Sequence, residues 1–117
     1  MPRKAQTQLE WLSDEAIVKW FSKIPSERTK KNYREQFPKW LTFVSENTEY
    51  KTPSEIIESR RQQRKSDDSA IEHFWEDKFI EFKHTLEGKS IKIPTVRSYL
   101  RTVASFFAHN REPLSLE

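Results

Sequence analysis

The chain has 117 residues, with 21 Lys and Arg against 18 Asp and Glu, a net charge of +3, one glycine and no cysteine. That length fits one domain with a modest core; the missing cysteines exclude disulfides and thiolate metal sites, and the single glycine argues against an all-β fold, whose tight turns need residues at positive φ. No stretch approaches the roughly 20 apolar residues of a membrane span and the N-terminus has no signal-peptide core, so the expected class is a soluble, cytoplasmic, all-α domain.

Five helices are expected, after an N-terminal arm over residues 1–12 whose Leu9, Trp11 and Leu12 pack back as a staple. Ser13 is the expected N-cap of the first, with Asp14 and Glu15 in its first turn. Ala16, Ile17, Trp20, Phe21 and Ile24 form its apolar face, and Pro25 ends it. Ser26 caps the second helix, along which Tyr33, Phe37, Trp40, Leu41 and Val44 step on one side. Pro38 falls inside that pattern, so a kink or a break is expected there. The third helix opens with T-P-S-E: Thr52 as N-cap, Pro53 at the first position and Glu55 closing a capping box. Only Ile56 and Ile57 are apolar in it. It therefore reads as short, with the tail R-R-Q-Q-R-K-S-D-D-S as an exposed loop. Arg60, Arg61, Arg64 and Lys65 in that tail are either a nucleic-acid patch or a solvated face. Asp67 or Asp68 starts the fourth helix, with Ile71, Phe74, Trp75, Phe79, Phe82 and Leu86 inward and Gly88 as a left-handed stop. Pro94 stands near the start of the fifth, which runs to about Asn110.

Charge is unevenly spread. Residues 28–39 hold five basic residues and one acid, residues 46–87 hold eleven acids and seven basic residues, and residues 89–111 hold five basic residues and no acid. The last segment is also amphipathic. Val96, Tyr99, Leu100, Val103, Phe106 and Phe107 line one face. Thr95, Arg97, Ser98, Arg101, Thr102 and Ser105 lie around the others. A basic, hydroxyl-bearing face without carboxylates suits a polyanion, since Ser, Thr and Arg all donate hydrogen bonds to phosphate oxygens. At the start of the second helix, Thr29, Lys30, Lys31 and Arg34 strengthen a helix N-terminus that already attracts phosphate.

Catalytic signals are weak. His73, His84 and His109 show no metal-ligand spacing. Glu76 and Asp77 sit among other charges and read as solvated. One glycine permits neither a P-loop nor a dinucleotide fingerprint. No catalytic residue, metal or cofactor is expected.

The two basic helices, in this order, resemble the core-binding domain of tyrosine recombinases, the phage integrase family. Thr29 to Tyr33 is similar to that domain's T-x-x-x-Y pattern and is followed by F-P-K-W-L-T-F. Thr95 to Phe107 is similar to T-(I/V)-x-x-Y-L-x-x-(L/V)-x-x-F-F. The resemblance spans roughly residues 13–114. It implies a single SAM-like bundle of four to five helices over residues 13–110, with residues 111–117 starting a linker to an absent catalytic domain, unless the last Leu-Glu is a cloning remnant. It implies double-stranded DNA as partner, other recombinase protomers in the full assembly, a monomeric isolated domain and association with the nucleoid. Carried over, it places Thr29, Lys30, Lys31, Asn32 and Arg34 on DNA with Thr95, Arg97, Ser98 and Arg101, and Lys89 and Lys92 at second rank. Asn32 and Arg97 become the expected base readers. Tyr33, Tyr50 and Tyr99 lack the nucleophile's context, so strand transfer is left to the other domain. A free-standing helical DNA-binding regulator and a SAM-like protein-interaction domain are the alternatives. The latter would expose aromatics such as Trp11 and Trp75.

Overall fold

The computed structural model describes residues 8–115. They form seven helices and no strand: α1 (Gln8–Trp11), α2 (Glu15–Ser22), α3 (Glu27–Asn47), α4 (Pro53–Gln63), α5 (Ser69–Glu72), α6 (Phe74–Gly88) and α7 (Ile93–His109). The all-α class is as expected. Two of the seven, α1 and α5, are four-residue turns beyond the five helices the periodicity marks. The radius of gyration, 13.9 Å, is close to the ~13 Å of a compact domain this long.

The capping signals act mostly where the sequence places them. Ser26 Oγ accepts from Thr29 N at 3.2 Å. Thr52 Oγ1 accepts from Glu55 N at 3.2 Å while Glu55 Oε1 accepts from Thr52 N at 3.0 Å, which closes the capping box. The cap of α2 is Asp14, not Ser13: its carboxylate accepts from Ala16 N at 2.9 Å. The same carboxylate accepts from Ser54 Oγ and Ser54 N in the first turn of α4. One side chain thus satisfies the starts of two helices.

Four expectations are corrected. α3 is not broken at Pro38 but runs on as one helix of 21 residues, because Phe37, Trp40 and Leu41 are buried on either side of the proline and hold both halves in the core. The tail after Ile57 is helix as far as Gln63, and Arg60 in it is buried at 2% exposure. Ile71 belongs to the separate turn α5 and is 46% exposed, so it does not join the inner face. Gly88 is the last residue of α6, and the left-handed position is Ser90 (φ 60°), after Lys89 and Ser90 have each closed a tight turn onto the helix end.

The core has two aromatic lobes joined by adjacent residues of α7. In one, Trp20 meets Phe37 at 5.0 Å between ring centroids, and Trp11 meets Phe37 at 5.4 Å. In the other, Trp40 meets Phe82 at 5.2 Å and Trp75 at 6.0 Å. Phe106 enters the first (4.7 Å to Phe37) and Phe107 the second (6.0 Å to Trp75). Trp11 is fully buried, so the packed domain begins inside the stretch assigned to an arm, while residues 1–7 of that arm lie outside the described residues.

The chain does not leave the bundle at Arg111 as a linker would. Glu112 N donates to Phe107 O and Arg111 N to Ala108 O, with Arg111 at φ 62°. This Schellman turn reverses the chain. Glu112 then pairs with Arg64 (2.8 Å) and Arg61 (3.3 Å), Pro113 O accepts from Arg60, and Ser115 N donates to Glu76. Residues 111–115 are fastened across α4 and α6.

Candidate nucleic-acid interface

The fold packs α3 against α7, and the seam between them is polar at one point. Gln36 Nε2 donates to Ser98 Oγ at 2.8 Å, and Thr102 Oγ1 donates to Gln36 Oε1 at 2.6 Å. Below this contact lies Phe37 against Phe106. Gln36 therefore fixes which residues of the two helices flank the seam. Asn32 lies one turn before it and Arg28 two turns before, both exposed. On α7, Arg97 and Arg101 immediately precede Ser98 and Thr102, are exposed, and lie one turn apart on a single face. The two predicted base readers, Asn32 and Arg97, are thus exposed on the two helices that this contact joins.

The other predicted residues divide. Thr95, Lys92 and Lys89 are exposed, and Lys92 is the residue preceding α7. Lys89 and Lys39 line a shared groove of about 520 Å³ between α3 and α6, with Thr42, Glu46 and Thr85. Thr29 is half-buried, its backbone N–H held by Ser26. Ser98 has a structural partner. It is half-buried, and its hydroxyl accepts from Gln36 inside the seam, so it joins the two helices. Thr102 and Ser105 turn inward as well: Thr102 is 2% exposed, and Ser105 Oγ accepts from Trp20 Nε1 at 2.9 Å. The hydroxyl half of the expected polyanion face is thus largely structural.

The cations of α3 are less available than those of α7. Lys30 lies 2.9 Å from Glu27, whose carboxyl is held below its usual range chiefly by the hydrogen bond from Lys30, with Arg34 adding a weaker pull. Arg34 precedes the buried Leu41 by two turns, on the opposite edge of α3 from Gln36. Lys31 is exposed and sits 4.0 Å from Glu35. On α7 the position is different. Among the described residues no carboxylate pairs with Arg97, Arg101, Lys89 or Lys92. Arg28 and Lys39, which the expected site leaves out, lie on the same side of α3 as Asn32 at four- and seven-residue steps, Arg28 exposed and Lys39 half-buried. Their spacing was the available signal.

The rival basic tract is occupied. Arg60 makes a bidentate pair with Glu76 (2.8 and 2.6 Å), both side chains nearly excluded from solvent, so Glu76 is not the solvated residue its neighbours imply. Arg61 and Arg64 hold Glu112. A cavity of about 710 Å³ lies beside this tract between α2, α4 and the end of α7, and contains none of the predicted DNA residues. Of its cations, Lys19 and Arg61 are answered by Glu15, Glu58 and Glu112, and Lys23 donates to the backbone of His109. Trp11 and Trp75, whose exposure would mark a protein-binding surface, are both fully buried. Among the described residues no helix is long and apolar enough to cross a membrane. No protein-family model, no curated protein and no solved structure matches the chain.

Proposed function

We propose that this chain is a duplex-DNA-binding domain that acts like the core-binding half of a tyrosine recombinase clamp, with strand transfer left to a separate catalytic domain and further protomers joining at the recombination site. The single observation that carries the DNA reading is the outer face of α7. There Arg97 and Arg101 are exposed, one turn apart and free of ion pairs among the described residues, while the arginines of the rival tract on α4, Arg60, Arg61 and Arg64, are held by Glu76 and Glu112. Desolvating and pairing a cation within the protein removes it from competition for phosphate; these two are left for a partner. The recombinase part rests on the resemblance of Thr29–Phe43 and Thr95–Phe107, and it places the protein with the nucleoid in the cytoplasm. No cofactor enters this role.

The test is a salt titration of binding to duplex DNA. Wild-type affinity should fall steeply with salt. Arg97→Ala and Arg101→Ala should each flatten the log–log slope by about 0.9. Arg61→Ala and Arg64→Ala should leave the slope unchanged. If the pattern is reversed, the interface lies on α4. If affinity is insensitive to salt, the DNA reading fails.

A further inference from the structure

Ile93 is 66% exposed, the most open large apolar side chain among the described residues. It is the first residue of α7. Ile93, Arg97 and Arg101 follow one another at four-residue steps, so they form one ridge with about 6 Å between neighbours. Val96, Val103, Phe106 and Phe107 fill the buried side of the same helix. A solitary exposed aliphatic residue needs no explanation. This one differs in its company: the ridge continues into two arginines that have no ion pair among the described residues, and Lys92 beside it is likewise exposed and unpaired. A surface of that charge is complementary to a groove walled by phosphates. Within the major groove, the one apolar feature that base edges offer is the 5-methyl group of thymine.

We propose that Ile93 packs against thymine 5-methyl groups when the α7 ridge lies in the major groove of duplex DNA, so that this end of the helix favours A·T pairs. The inference rests on the DNA-binding reading above and adds to it the kind of base pair the ridge prefers. Arg97 and Arg101, about 6 and 12 Å further along the axis, reach phosphates or purine edges while Ile93 contacts the methyl.

Binding of the full chain to two alternating duplex polymers, poly d(A-T) and poly d(A-U), isolates the methyl group. The wild type should bind the thymine polymer about threefold more tightly, as expected for partial burial of one methyl. Ile93→Ala should bring the two affinities together. Because Ile93 is exposed, that variant should melt with the wild type, which checks its fold. Val18→Ala, which removes another exposed aliphatic residue (56%) on α2, should keep the threefold preference. Equal wild-type affinities, or a preference that survives in Ile93→Ala, would overturn the proposal while leaving salt-dependent DNA binding intact. If binding to neither polymer weakens with salt, the DNA reading falls and this inference falls with it.

Discussion

At the scale of single residues, the most consequential contact is the one between Arg60 and Glu76. Side-chain exposures of 2% and 6% take both charges out of water. The desolvation is offset by two hydrogen bonds between them and by Glu72 O, Pro113 O and Ser115 N, which leave only the buried Arg60 Nε–H without a partner among the described residues. Removing one partner strands the other. Arg60→Met or Glu76→Leu alone should therefore cost about 3–5 kcal/mol by urea denaturation. The double substitution should cost less than either single change, since no buried charge is left over. A double-mutant loss equal to the sum of the singles would show that the two do not act as a pair. None of this was legible in the run R-R-Q-Q-R-K. Its composition is that of a surface, and its partner lies sixteen residues away on another helix. The outer face of α7 could be read because the signal was local: a stretch of 23 residues lacking any acid. Ser98 and Thr102 could not be read, because a hydroxyl looks the same in sequence whether it meets a phosphate or the amide of Gln36.

At the scale of elements, two caps that look alike in sequence should differ in weight. Thr52 closes a local capping box, and Thr52→Ala should cost about 1 kcal/mol. Asp14 caps α2 and also takes both the hydroxyl and the backbone N–H of Ser54 at the start of α4. Asp14→Ala should cost about 2 kcal/mol, the upper end for a cap, because two helix starts lose their acceptor. Parallel denaturant titrations of the two variants decide it; equal losses would mean that Asp14 is only a local cap. The same contrast explains which boundaries were legible. Ser26, Thr52, Pro53 and Glu55 act within three residues of themselves, so position in the chain suffices. Ser13 and Asp14 are both good caps, and the choice between them is made by Ser54, forty residues on. The helix does not break at Pro38 for a related reason. Proline in a helix interior costs about 3 kcal/mol, but Phe37, Trp40, Leu41 and Val44 anchor the helix on both sides of it, and burying a single such side chain contributes about 1.5–3 kcal/mol.

At the scale of the molecule, α7 has two duties that meet in one helix. Its outer face carries Ile93, Arg97 and Arg101, and its inner face joins the aromatic lobes through Phe106 and Phe107. In the DNA-binding role proposed above, the ridge would gain precision from a helix held by the core on its other side. The arrangement also bears on how the protein unfolds. The Trp11–Trp20–Phe37 lobe and the Trp40–Trp75–Phe82 lobe come from different helix sets, and they could melt separately if nothing tied them. Adjacent side chains on one rigid helix cannot leave one lobe without disturbing the other, and α3 supplies both Phe37 and Trp40, which adds a second tie. Phe106→Ala opens a cavity in the first lobe only and should cost about 3–5 kcal/mol, a large part of the 5–15 kcal/mol typical of a whole domain. If the lobes are one cooperative unit, amide exchange protection should fall by the same free energy in α6, which lines the second lobe, as in α2, which lines the first. Loss of protection confined to α2, with α6 as slow to exchange as in the wild type, would show two units that merely touch.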